Sequence, residues 1–249
     1  MSNPKTFYQY IGDLHTHTSV SQHAYSSVHE LVSAAQQAGL LALGITNHGP
    51  ALFDGAIEHH FICIKDLPIE VNGVLLLRGA EANIVDYRGT LDLSKRVLAP
   101  LDFVIGSYHI EVISPSTALD HTKGWIKTIE GGSVDCLGHC GNPAYPFDHE
   151  EVVKACAAHG VAIEVNNNSF FVRKGSEVNC KHVVELCLKH QVPIIVNSDA
   201  HSMYRVGLFT DADAMLYSMG VGEQHILNTS LERIRTFIQN RKVVREGVQ

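Results

Sequence analysis

Short apolar runs alternate along the chain with stretches whose apolar positions recur every three to four residues. The first kind reads as β-strand and the second as amphipathic helix. Strand-like runs cover Phe7–Leu14, Leu40–Thr46, Val74–Ala80, Phe103–Tyr108, Val134–Gly138, Val161–Val165 and Pro193–Asn197. Helix signals fall between them. Ser27-Val28-His29-Glu30 has the spacing of a capping box, and Gly39 supplies a stop. Asp148, with Glu151 three residues on, opens a helix that ends near Gly160, and another runs from Ser176 to about Gln191. Strands alternating with helices predict βα units and a parallel sheet. Two stretches interrupt the alternation. Pro50–Pro68 has no strand pattern and holds His59 and His60, while Glu81–Leu93 contains the turn-like Tyr87-Arg88-Gly89-Thr90.

The polar residues that close the apolar runs are mostly metal-ligand types. His15 and His17 follow the first run, His48 the second, Glu81 the third, His109 and His139 the next two, and Asp199 and His201 the last; His23 lies in the loop after the first. Residues two apart in an extended chain point the same way, so His15 with His17, and Asp199 with His201, can each address one point. Each residue alone has an ordinary reading: a solvent-facing histidine, or for Glu81 a helix cap or salt bridge. Unrelated histidines, however, would not collect at the same end of successive strands. In an open sheet with strands about 4.8 Å apart, the outer two of seven would be nearly 30 Å from one another. If the first and last runs serve one site, the sheet must close. The expected architecture is therefore a seven-stranded barrel related to the (β/α)8 type, with its site at the C-terminal face of the strands.

Nitrogen and oxygen donors suit Zn, Mn or Fe(II) better than a site for Mg or Ca alone. Nine donors exceed what one tetrahedral ion can use, which leaves two or three ions. The sixteen histidines are the compositional outlier that fits this chemistry.

Gross properties narrow the partners. At 249 residues with 45% apolar content, one compact core is expected. A formal charge of −7 gives no electrostatic footprint for nucleic acid. No run approaches the roughly 20 apolar residues of a membrane span. Met1 to Tyr10 lacks a signal-peptide pattern, and the six cysteines form no CxxC pair. They read as reduced thiols, so a cytoplasmic location is expected.

Several segments resemble the PHP-domain metallophosphoesterases, and within them the YcdX-like phosphatase branch. They are Asp13-Leu14-His15-Thr16-His17-Thr18, His23-Ala24-Tyr25-Ser26, Ile45-Thr46-Asn47-His48-Gly49-Pro50, Arg78-Gly79-Ala80-Glu81-Ala82-Asn83, Gly141-Asn142-Pro143, Arg173-Lys174-Gly175-Ser176-Glu177 and Ser198-Asp199-Ala200-His201. The resemblance implies a distorted (β/α)7 barrel over residues 1–249 as one PHP domain, with a trinuclear metal site, most often zinc. It implies that His15, His17, Glu81 and Asp199 hold one ion. Glu81 would bridge to a second, held also by His109 and His139, and His23, His48 and His201 would hold the third. The segment from about 203 to 249, helical around Leu231–Ile238, is expected to pack on the barrel or to join a homo-oligomer interface.

Three positions depart from the family pattern. Asn47 stands where Asp is usual beside His48. Cys140 replaces a frequent Pro after His139, and Ile110 replaces an acidic residue after His109, with Glu111 next to it. An orienting carboxylate lost at position 47 would weaken a ligand. Cys140 reads as a packing change or, alternatively, as an oxidation-sensitive thiol.

The expected reaction is hydrolysis of a small phosphomonoester by a metal-bound hydroxide. Glu81 and Asp199 are the catalytic carboxylates, acting as ligands rather than free bases. Arg173 and Lys174 are candidates for phosphate or leaving-group contact, against a reading as a solvated basic turn. His60 is a candidate proton donor. Asn166, Asn167 and Asn168 either line the mouth or make turn hydrogen bonds. The competing readings are a phosphodiesterase or nuclease, and a non-enzymatic metal-binding regulator.

Overall fold

Strand order across the sheet follows strand order along the chain. The computed structural model describes residues 6–247. Its strands are β1 (Gly12–Thr16), β2 (Ala42–Ile45), β3 (Glu70–Val71), β4 (Val74–Asn83), β5 (Phe103–Ser107), β6 (Cys136–Leu137), β7 (Ala162–Asn166) and β8 (Ile194–Asn197). Seven pair in parallel in the order β1-β2-β4-β5-β6-β7-β8, and β3 is a short antiparallel addition to β4. Every expected run overlaps one of the seven. Two boundaries move. Phe7 and Tyr8 do not join β1, because their N–H groups bind the Asp213 carboxylate and Phe7 stacks on Tyr217 at 3.9 Å. β4 continues past Ala80, carrying Glu81 and Asn83 within the sheet.

The helices are α1 (Val28–Gln37), α2 (Glu58–Cys63), α3 (Lys95–Leu98), α4 (Ala118–Glu130), α5 (His149–His159), α6 (Ser169–Val172), α7 (Ser176–His190), α8 (Thr210–Ser218) and α9 (Leu231–Gly247). The capping box at Ser27 forms in both directions: Ser27 N–H donates to Glu30 Oε2 at 2.7 Å, and Glu30 N–H to Ser27 Oγ at 3.3 Å. Asp148 caps α5 through the Glu151 N–H at 2.9 Å, and Gly160, at φ 65°, ends it. Among the described residues no helix is long and apolar enough to cross a membrane.

The barrel is nearly closed, and its last seam is built mainly by side chains. Between the end of β1 and the segment just past β8 the backbone contributes one bridge, Thr16 with Ala200, and His17 N–H donates to the Ala200 carbonyl at 2.9 Å. Below this, Asn228 Nδ2 donates to the carbonyls of Gly12 (2.7 Å) and Val196 (2.6 Å), while its Oδ1 accepts from Val196 N–H at 3.0 Å. Asn197 Oδ1 accepts from Leu14 N–H at 2.8 Å, and Asp13 Oδ1 from Ser198 N–H at 3.1 Å. These bonds set the ligand-bearing ends of the first and last strands side by side.

Apolar packing fills the barrel from below. Leu14, Leu77, Phe103, Ile105, Cys136 and Ile195 form an inner cluster that Ile234 of α9 joins from beneath. The approach is close: a Cβ added at Gly12 would lie 2.9 Å from Ile234 Cδ1. Further along α9, Arg241 and Arg245 reach the buried Asp135 just before β6. With the lower end plugged by hydrocarbon, the polar side chains at the strands' C-terminal ends occupy the upper end.

Candidate metal centre

Glu81 lies at the middle of the upper end, fully buried. Its Oε2 is 2.7 Å from His48 Nδ1, 3.3 Å from His15 Nε2 and 3.6 Å from His17 Nε2. Its Oε1 is 2.9 Å from His139 Nε2 and 3.4 Å from His109 Nε2, and accepts from Ser107 Oγ at 2.7 Å. One carboxylate therefore faces two sets of imidazoles. Asp199 Oδ1 lies 3.2 Å from His17 Nε2 and 3.6 Å from both His15 Nε2 and His201 Nδ1. His201 Nε2 in turn faces His23 Nε2 at 3.0 Å. All nine side chains singled out in the sequence thus meet in one place.

Their polar atoms are largely unspent. Nε2 of His15, both ring nitrogens of His17, Nδ1 of His48, Oε2 of Glu81, Nε2 of His109 and Oδ1 of Asp199 are buried without a well-aligned hydrogen bond, the 2.7 Å approach of His48 Nδ1 to Glu81 Oε2 included. Buried polar groups are ordinarily paired, and each orphan costs about 1–3 kcal/mol. Cations are the partners that imidazole and carboxylate lone pairs in this arrangement can share. Three overlapping triads have ligand atoms mutually within 4.8 Å: His15, His17 and Asp199; His17, His48 and His201; and His48, Glu81 and His109. The residues present fit divalent metal. Two of the nine, His139 (φ 31°) and Asp199 (φ 53°), hold the left-handed backbone that non-glycine residues seldom adopt. Such strain persists where the surroundings over-determine it.

Protonation states suit ligation. Burial would raise the Glu81 and Asp199 carboxyls, but the neighbouring histidines hold both well below the usual carboxylate range. Burial pushes His48 and His139 down to about 4, and His17 well below its ordinary value. Neutral imidazoles at pH 7 present lone pairs without proton competition. His15 is the exception: burial is overcome by Glu164, Glu81 and Asp199, which raise it.

A supporting layer holds several ligands from behind. Glu164 Oε1 lies 2.7 Å from His15 Nδ1, Asn83 Oδ1 2.7 Å from His109 Nδ1, and Asp54 Oδ2 2.7 Å from His23 Nδ1. Sequence reasoning missed these roles. A signal existed for Glu164, the lone carboxylate in the apolar run Val161–Val165. None existed for Asp54, which lies in the patternless stretch after Pro50. Asn47 has a different part from the one expected. Its side chain bonds Thr18, Ser21 and His60, while its backbone belongs to the strand-end turn that carries His48.

A cleft of about 500 Å³ opens onto the ligands and is lined also by Phe53, Glu111, Asn168 and Arg173. Arg173 Nη1 lies 3.7 Å from Asp199 Oδ2 and donates to Ser169 Oγ at 3.1 Å. Lys174, exposed, lines an adjoining cleft of about 400 Å³ that shares Arg173, His109 and Glu111 with the first. His60 is not among the residues lining either cleft; its Nε2 accepts from Asn47 Nδ2 at 3.2 Å. Asn166 bonds Ser169 and Glu164, Asn167 caps the start of α8, and only Asn168 of the three reaches the cleft. Cys140 is buried, and burial pushes its thiol well above the ordinary range, as a packing residue requires. Ile110 points outward at 61% exposure.

Comparison with known proteins gives a consistent picture. A family model described as the PHP domain matches residues 13–170. A probable phosphatase of Clostridium botulinum (strain Hall) is 43% identical over 233 residues, spanning 94% of this chain and 96% of its own. A probable phosphatase of Acetivibrio thermocellus is 40% identical over 234 residues, spanning 94% of this chain and 97% of its own. Among solved structures, a histidinol phosphate phosphatase from Lactococcus lactis, crystallised with zinc, L-histidinol and phosphate, superposes with a TM-score of 0.57. It is 14% identical, and the match covers 94% of each chain. A chain of an archaeal ribonuclease P complex with mature tRNA gives a TM-score of 0.59 at 14% identity, covering 92% of this chain and 91% of that one. At such identities the two structures speak for the fold.

Proposed function

The chain belongs to the PHP-domain family, and from that premise we propose that this phosphatase hydrolyses small phosphomonoesters with the help of divalent metal ions. The observation that carries the proposal is the set of buried, unpartnered nitrogen and oxygen atoms converging at the floor of an open cleft. A purely structural role would have paired those atoms with one another or with the backbone. Three ions, most simply zinc, with Mn or Fe as alternatives, suit a donor set of seven imidazoles and two carboxylates. His15, His17, Glu81 and Asp199 would hold one; Glu81, His109 and His139 a second; His23, His48 and His201 the third. When bound, such ions lower the pKa of water towards neutral and neutralise charge on a phosphoryl group.

The chain's own residues supply the rest. Glu81 and Asp199 would be ionised metal ligands, so neither would be free to act as a general base. The Arg173 guanidinium lies at the rim of the ligand set and is placed to hold phosphoryl oxygens by charge-assisted hydrogen bonds. Lys174, in the adjoining cleft, is suited to the leaving group. His60, behind Asn47, is given no part in the reaction.

Metal analysis of the purified protein, followed by rate comparison on a nitrophenyl phosphate monoester and the corresponding diester, tests the proposal. Bound divalent metal and preference for the monoester are expected. Glu81→Ala should lose both metal and turnover, and full activity in that variant would refute the assignment. Faster cleavage of the diester would move the enzyme to the phosphodiesterases. Bound metal with no hydrolysis of either would make it a binding protein.

A further inference from the structure

Glu164 stands on β7 at 1% exposure, and both of its oxygens are fully engaged. Oε1 lies 2.7 Å from His15 Nδ1 and accepts from Asn197 Nδ2 at 2.9 Å. Oε2 accepts from the backbone N–H of His139 at 2.7 Å and from Asn166 Nδ2 at 3.1 Å. An ionised carboxylate offers about four lone-pair sites, and four donors take them. We infer that Glu164 is a positioning residue for the metal centre, orienting His15 through its ring and His139 through its backbone. This rests on the metal-hydrolase reading above and extends it to a residue outside the ligand set.

Two physical consequences follow from the contacts. A carboxylate accepts and cannot donate, so the proton of the Glu164–His15 hydrogen bond sits on Nδ1. That leaves the lone pair on Nε2, the atom 3.3 Å from Glu81 and 3.6 Å from Asp199. Such carboxylate–histidine pairs fix the ligand's tautomer and raise its basicity. At His139 the same carboxylate acts differently. It holds the N–H of a residue at φ 31°, and the ring of that residue then sits 2.9 Å from the other oxygen of Glu81. One buried charge thereby supports a ligand on each side of the bridging carboxylate.

Packing alone does not account for the residue. The barrel wall just below is filled by Ile105, Cys136 and Ile195, so an apolar side chain would serve that purpose. A buried carboxylate is retained at a cost unless its charge is used. Asn166 and Asn197 complete its shell from the same strand and the next one, β8.

The test uses zinc-loaded full-length protein and nitrogen NMR of its histidine rings. His15 Nδ1 is expected to carry a proton, and an unprotonated Nδ1 overturns the inference. Glu164→Gln, which turns an amide NH₂ towards donors, is expected to weaken zinc affinity by about 10–100-fold, measured by competition with a chromogenic chelator. Turnover at saturating metal should fall much less than affinity. Glu164→Asp, keeping the charge on a shorter stem, should lie between the two. Affinity of Glu164→Gln within twofold of the parent overturns the inference. If Glu164→Gln does not fold, the NMR result on the parent decides. A parent protein that binds no zinc instead refutes the metal-hydrolase reading; the His15 ring-nitrogen signals of metal-free parent and Glu164→Asp then decide the positioning role, and identical signals overturn it.

Discussion

His23 and His201 face each other through their Nε2 atoms at 3.0 Å, across 178 positions of sequence. His23 Nδ1 donates to Asp54 and His201 Nδ1 to the Asp199 carbonyl at 2.9 Å, so the two Nε2 atoms meet as lone pairs turned towards one ion. His23 is the most exposed of the nine candidate ligands, at 39% of its side chain, and it is steadied by Asp54 rather than by the barrel wall. Its removal therefore leaves no core cavity. His23→Ala should cost the protein one ion per chain and at least tenfold in turnover, while metal-free stability changes by no more than about 0.5 kcal/mol. Elemental analysis and a urea melt check this; unchanged stoichiometry would remove His23 from the ligand set.

Removing all the metal should do more. Seven buried polar atoms at the site lack hydrogen-bond partners, so the metal-free state carries their desolvation unrelieved. Metal at about 100 times its dissociation constant stabilises the folded state by roughly 2.7 kcal/mol. For a chain of this size that corresponds to about 5–10 °C in melting temperature. Dialysis against a strong chelator should lower the midpoint by that amount and abolish turnover, and restored zinc should recover both. A midpoint indifferent to chelation would contradict the proposed site.

The residues that could be read from sequence share a reason. His15 and His17 stand two apart at a strand end, where extended-chain periodicity makes them neighbours, and Asp199 and His201 share the spacing just past β8, although Asp199 takes the left-handed backbone at φ 53°. Ser27 with Glu30, and Asp148 with Glu151, announce helices through local hydrogen bonds that need no tertiary context. The four-residue helices α3 and α6 have no such signal, and neither has α2 in the patternless stretch after Pro50. Glu164, Asn83 and Asp54 act only through partners far away in sequence, so their roles appear once the barrel is assembled. His60 shows the opposite failure: a chemically suitable residue in a suggestive loop that folding turns towards Asn47.

Asn228 tests how the barrel is held shut. Its side chain makes three bonds to Gly12 and Val196 across the seam, all buried. Asn228→Ala strands two carbonyls and one N–H, each worth about 1–3 kcal/mol when left unpaired. A loss of at least about 3 kcal/mol is expected by urea denaturation. Asn228→Asp should do no better despite its shape, because an acceptor would then face both carbonyls. Metal affinity should fall in both variants, since the seam aligns β1, with His15, against the strand end that carries Asp199.

At the opposite pole, Asp135 is fully buried and paired with Arg241 and Arg245 of α9, and it also accepts from Val104 N–H at 2.8 Å. Arg241 further donates to the carbonyls of His159 and Val134, at 2.6 and 2.8 Å. Removing one member of such a group leaves uncompensated charge, whereas replacing the whole group by hydrocarbon need not destabilise. Asp135→Ala should cost about 3–5 kcal/mol. The triple variant Asp135→Leu, Arg241→Met, Arg245→Met should recover much of that loss, even though it changes more of the structure. Both variants lie far from the ligands, so a correctly folded fraction should keep its metal content and its turnover per ion. Equal destabilisation of the single and triple variants would mean that α9 is held by the arginines' hydrogen bonds to backbone carbonyls and not by the charge pairing with Asp135.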